Sequence, residues 1–182
     1  SSTRTPGANE RDVSMSLDGQ ALAWQGGTPE APSLVWFHAE VGGYIEFSTA
    51  VWQGVWGLPL VSAQPSISGD GLRVVFVDKS GALTEHFKYG RFQGLATITF
   101  GLKEGRVSLG LTLQYYGDVI ANPSHSYDGE KVLFTEIFGG QPYLSLLDLG
   151  AGRLMDLFAD MTFDHPFLTA DGEHVTFSFG GN

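Results

Sequence analysis

A chain of 182 residues with 42% apolar side chains is long enough for one sizeable core and too apolar for a disordered segment. Its net charge of −10 argues against a nucleic-acid backbone or an anionic membrane as partner. The lack of cysteine removes disulfides, thiolate catalysis and cysteine-held metals, and no apolar run approaches the roughly 18 residues a membrane span needs.

The 25 glycines show no collagen period and the aromatic content is 13%, so the chain reads as many short strands joined by tight turns. It opens "SSTRTPGANE" without a methionine or a signal-peptide pattern, which fits a removed leader and a segment of a longer chain equally. From Asp12, "DVSMSLDGQALAW" reads as strand, Asp-Gly turn and strand, and "SLVWFHA" and "GYIEFSTAVW" complete a first unit. A second unit starts with "PSISGDGLRVVF" at Pro65 and continues through "LTEHFKYGRF", "GLATITF" and "RVSLGLTLQYY". That is one strand more than the first unit has, and predicts an elaborated outer hairpin. The third unit, "NPSHSYDGEKVLF" from Asn122, ends in "YLSLLDLGAGRLMDLF" with its turn at Gly150 to Gly152. The fourth, "HPFLTADGEHVTF" from His165, stops after two strands. No stretch shows helical periodicity over several turns.

Aligned on their Asp-Gly pairs (Asp18-Gly19, Asp70-Gly71, Asp128-Gly129, Asp171-Gly172), the units recur at spacings of 52, 58 and 43 residues, the period of propeller blades. Three residues before each Asp stand Met15, Ile67, His125 and Leu168; five after each Gly stand the aromatics Trp24, Phe76, Phe134 and Phe177. The glycine takes the turn's positive φ, the aspartate holds the turn through backbone amides, and the aromatic is expected between neighbouring blades. This pattern, with the "YLSLLDLGAGRLMDL" segment, resembles the TolB-type β-propeller repeat over most of the chain. It departs from that repeat where Ser-Pro would precede Asp-Gly: Ser16-Leu17, Ser68-Gly69, Ser126-Tyr127 and Thr169-Ala170 stand there instead. The glycine directly after each aspartate disfavours a sialidase-type Asp box.

The expected fold is therefore all-β, with blades of antiparallel sheet over approximately 11–62, 63–120, 121–163 and 164–182, the last helped by a strand from 1–10. Three and a half to four repeats leave three closures: a segment of a larger propeller, which leads, two chains completing one ring, or a compact four-bladed monomer.

Phosphate loops, metalloprotease helices and nucleophile elbows are missing, so no catalytic residue, metal site or cofactor is assigned. Function in a propeller gathers where loops converge on the axis. Asp12, Gln64, Asn122 and His165 occupy equivalent positions just before the first strand of each unit, and all are polar. Solvation explains such positions; the functional alternative is a ring of hydrogen-bonding groups around a polar ligand, with His165 able to shuttle a proton. His125 sits where the other units are apolar, as a core histidine or as a partner of His165 at a metal site. Trp52 and Trp56, in "VWQGVWG", would stack on sugar rings if exposed. Asp156, Asp160 and Asp164 lack the alternate-residue spacing of a calcium loop. Charge is uneven: residues 118–182 carry ten acids against Lys131 and Arg153, while six of the ten basic residues fall between 73 and 106. The leading expectation is a non-enzymatic, extracytoplasmic module binding a protein or glycan ligand, with self-association or the remainder of a propeller as further partners. The rivals are a carbohydrate lyase or hydrolase using His125, His165 and Asp12 or Asp164, and the propeller of a larger protease.

Overall fold

The structure, a computed structural model, describes residues 11–80, 93–103 and 106–179. Its first sheet runs in the order β1 (Arg11–Met15), β2 (Ala21–Gly27), β3 (Pro32–His38) and β4 (Gly43–Phe47). Helix α1 (Thr49–Trp56) leads to a second sheet of β5 (Ser62–Ile67), β6 (Arg73–Asp78), β7 (Gln93–Lys103) and β8 (Arg106–Gly117). The third holds β9 (Val119–His125), β10 (Lys131–Phe138), β11 (Gln141–Asp148) and β12 (Arg153–Ala159); the fourth has two strands among the described residues, β13 (Phe163–Leu168) and β14 (Val175–Phe179). Every neighbouring pair is antiparallel. This is an all-β, propeller-like arc in which β1, β5, β9 and β13 are the innermost strands, each against the next.

The Asp-Gly hairpins repeat one hydrogen-bond lattice. In the first, the Ser16 hydroxyl donates to Asp18 Oδ1 at 2.7 Å, the Gln20 N–H donates to the same oxygen at 2.9 Å, and the Ala21 N–H donates to Ser16 Oγ at 2.8 Å. Ser68 with Asp70, Ser126 with Asp128 and Thr169 with Asp171 repeat it. The four glycines have φ between 68° and 74°. A Cβ on Gly71 would run into Ala21, one on Gly129 into Arg73, and one on Gly172 into Lys131. The glycine thus serves the turn and also lets each blade approach the one before it.

The core is divided among the interfaces between blades. Trp36, Phe47, Phe76 and Phe100 bury between the first two blades, Phe134 with Val75, Val77 and Leu147 between the second and third, and Leu133 with Phe163 and Leu168 between the third and fourth. Phe76 and Phe134 are fully buried, which stabilises by about 1.5–3 kcal/mol for each ring. Trp24, at the equivalent position of the first blade, is half-buried because no blade precedes it among the described residues. Salt bridges cross the same interfaces: Arg73 Nη1 lies 2.6 Å from Glu130 Oε1 and Lys131 Nζ 3.3 Å from Glu173 Oε1.

Two expectations change. "GYIEFSTAVW" is not one strand: it ends at Phe47, and Ser48 caps α1, its hydroxyl accepting from the Val51 N–H, while Gly57 at φ 72° closes the helix. The second blade has four strands among the described residues, with the long pair β7 and β8 taking up part of its extra length. The strand expected over 83–92, and any strand from 1–10, lie outside the described residues. No helix among the described residues is long and apolar enough to cross a membrane.

Candidate functional site at the axis

Asp12, Gln64, Asn122 and His165 all have left-handed backbones, with φ of 53°, 50°, 54° and 48°. They stand inside the innermost strands, not before them, and each marks a break in register: between Arg11 and Ser14, Ala63 and Ser66, Ala121 and Ser124, and Asp164 and Phe167. Each is a β-bulge, an extra residue the neighbouring strand does not pair. Aspartate, asparagine and histidine are among the side chains that best tolerate positive φ. Pro65, Pro123 and Pro166 follow three of the bulges, where a missing N–H leaves no ladder bond unmade.

Asp12, Gln64 and Asn122 open on one cavity of about 270 Å³ at the axis. Gln64 Oε1 accepts from the Asn122 N–H at 3.1 Å, tying two bulges together across a blade boundary, and Asn122 Nδ2 donates to Thr135 Oγ1 at 3.4 Å. His165 does not join them. Its side chain is 88% exposed and its Nδ1 lies 2.8 Å from Asp164 Oδ1, while Pro166 and Phe167 line the cavity in its stead.

Two residues past the bulges, Ser14, Ser66, Ser124 and Phe167 form the next layer, shared between this cavity and a second, of about 120 Å³, toward the hairpin end. The serine hydroxyls latch blades together: Ser14 Oγ accepts from the Ile67 N–H and Ser124 Oγ from the Leu168 N–H, both at 3.1 Å. Aligning the four units two residues beyond the polar positions would have revealed these serines.

His125 lines the smaller cavity and is buried. Its Nδ1 lies 3.1 Å from the Ser66 carbonyl oxygen, an acceptor, so Nδ1 carries the proton and Nε2 is left as a buried acceptor without a partner. Burial pushes its pKa down to about 4, keeping the ring neutral. The proposed pairing with solvent-exposed His165 is not formed, and no three His, Asp or Glu side chains among the described residues gather as metal ligands.

The tryptophans are also relocated. Trp52 is fully buried, stacked on Phe47 at 4.9 Å and on Phe76 at 5.3 Å, and has no face for a sugar. Trp56 is half-buried, 5.1 Å from Trp52. Both are the apolar side of α1, packed on the first interface.

No protein-family model and no curated protein matches the chain. Among solved structures it is similar to TolB from Acinetobacter baumannii, with a TM-score of 0.62 and 17% identity over 93% of this chain and 37% of that one. The β-propeller domain of the Trilobed protease from Pyrococcus furiosus, described as having an open velcro topology, aligns at a TM-score of 0.59 and 12% identity over 86% of this chain and 45% of that one. Acylaminoacyl peptidase of Pyrococcus horikoshii aligns at 0.58 and 13% over 89% and 27%. The arc of blades is thus a β-propeller. More particularly, the fold is TolB-like, and the chain spans less than half the length of each of these three structures.

Proposed function

We propose that the chain is a binding module that recognises a polypeptide at the axial end of its propeller. The observation that carries this reading is the convergence of Asp12, Gln64 and Asn122, from three successive innermost strands and in one shared backbone conformation, on a single cavity. A bulge takes its residue out of the sheet's pairing, so a ligand that engages these side chains breaks no ladder bond, while Gln64 Oε1 and Asn122 Nδ2 keep bonds of their own to Asn122 and Thr135. The glycan alternative has lost its support from Trp52, which is fully buried. A second reading, the propeller part of a larger peptidase, draws on the likeness to the Pyrococcus proteins and on the partial coverage of their chains. An extracytoplasmic setting goes with the first reading and is supported by the TolB likeness alone.

Peptide and glycan arrays probed with the wild-type protein and with Asp12→Ala and Gln64→Ala test it. Peptide binding weakened about tenfold by either change, measured well below each variant's unfolding midpoint, is the expected result; that midpoint should fall for Gln64→Ala, which removes the acceptor of the Asn122 N–H. Binding confined to glycans, or peptide binding indifferent to both changes, would overturn it.

A further inference from the structure

We propose that the cavity beside the axial site, where the third blade meets the fourth, receives one large apolar side chain of a basic peptide; the proposal rests on the binding-module reading above. The cavity measures about 280 Å³ and is bounded by Val119, Ala121, Ile137, Pro142, Met161 and Phe163. It adjoins the polar site through Asn122: Ala121 is the next residue in the chain, and Asn122 Nδ2 donates to Thr135, which lines the cavity wall. Val119, Ile137 and Met161 are 42%, 40% and 36% exposed, so the apolar lining is open to a partner.

Charge selects the kind of side chain that flanks the apolar one. Asp118 precedes Val119 and Asp160 precedes Met161, so two carboxylates neighbour the lining in sequence; Asp164 follows Phe163 within β13 and takes the opposite face of that strand. Asp118 Oδ2 accepts from the Gly139 N–H at 3.0 Å, and Asp164 is beside His165. Beneath the cavity Glu136 is buried, its two oxygens accepting from the hydroxyls of Ser145 at 2.7 Å and Tyr115 at 2.8 Å. Those donors are neutral, and no salt bridge reaches Glu136 among the described residues. Burial, and then Glu136, push the Tyr115 phenol well up, so it does not add a charge of its own near neutrality. The third blade's only two basic residues, Lys131 and Arg153, pair by register with Asp148 at the far end of the sheet. From Lys131 the cavity lining at Thr135 to Ile137 lies four to six residues along the strand, roughly 13–20 Å, beyond the screening length of physiological salt. The rim is therefore negative, and a partner with Lys or Arg beside an apolar side chain satisfies rim and cavity together.

Fluorescence anisotropy with labelled Lys-Lys-Phe-Lys-Lys, Lys-Lys-Ala-Lys-Lys and Glu-Glu-Phe-Glu-Glu reads both parts. The phenylalanine peptide is expected to bind about tenfold or more tighter than the alanine peptide, as burial of one large side chain implies. Ile137→Ser and Met161→Ser, both at exposed positions, should abolish that ratio, and the glutamate peptide should not bind. If Gln64→Ala weakens both lysine peptides equally while Ile137→Ser leaves their ratio unchanged, the axial reading survives and this proposal fails. It also fails if no peptide binds saturably, or if the protein instead sediments with phosphatidylcholine vesicles, which would make a membrane the occupant.

Discussion

Tyr127 lies over Gly69 of the preceding blade so closely that a Cβ on residue 69 would overlap its ring. The same turns are bonded through the main chain: the Leu17 N–H donates to the Gly69 carbonyl, the Asp70 N–H to that of Tyr127 and the Tyr127 N–H to that of Ala170, at 3.1, 3.3 and 2.7 Å. Overpacking of this kind destabilises by about 1–3 kcal/mol, so Gly69→Ala should lower the urea midpoint accordingly. Tyr127 is 44% exposed, and Tyr127→Ala should recover only part of that loss when combined with Gly69→Ala, because the Tyr127 Cα also stands 2.8 Å from the added Cβ. Simple additivity of the two changes would contradict the overlap.

His125 makes stability depend on pH in a defined window. The unfolded chain takes up a proton near the ordinary histidine pKa of about 6.5, which the folded protein refuses until about pH 4. Stability is therefore expected to fall as pH drops through that interval and to level off below it, by an amount on the order of 3 kcal/mol. His125→Leu, which installs the residue found at Leu168, should flatten this dependence. Urea midpoints measured at neutral pH and near pH 4.5 decide the matter, and a wild type no more sensitive than the variant would refute it.

The hairpin carboxylates act at lower pH. The Ser16, Ser126 and Thr169 hydroxyls, followed by backbone N–H groups, hold Asp18, Asp128 and Asp171 below the usual carboxylate value. Their contribution is complete above the unfolded pKa, about 4, and is lost as pH falls through the depressed folded values. Asp128→Asn keeps an acceptor oxygen but removes the charge, so it should unfold with a shallower acid dependence than the wild type. An identical acid transition would rule out the lattice as its source.

Arg73 and Glu130 tie the second blade to the third, with side chains 30% and 43% exposed. At that exposure their coupling should be modest, about 0.5–1 kcal/mol in a double-mutant cycle of Arg73→Met and Glu130→Gln, and should shrink with added salt. A coupling of zero at low salt would mean that this ion pair adds nothing to the hydrogen bonds and apolar contacts of the interface.

The blades were readable because a hairpin is a local event: serine or threonine, aspartate and glycine close their turn within six residues, so sequence shows the motif intact. The interblade aromatics followed for the same reason, Phe76 and Phe134 lying at fixed distance from the turn. Helix α1 was not legible by composition, since its valines and tryptophans favour strands; the overlooked signals were Ser48 at its start and Gly57 at its end. The burial of Trp52 depends on Phe47 and Phe76, from two different blades, which no local pattern records. The alignment found the polar quartet but set it ahead of the strands, because a bulge is a matter of register with a second strand. That His165 would turn to solvent while Gln64 reached Asn122 was equally beyond a single-strand reading.

Each bulge also separates what a residue is from what the sheet requires. At positions 12, 64, 122 and 165 the main chain is fixed by its neighbours, and four different side chains already occupy one geometry. Selection could therefore rewrite the chemistry of the axial face one position at a time, altering which guest is admitted while the scaffold beneath keeps its shape.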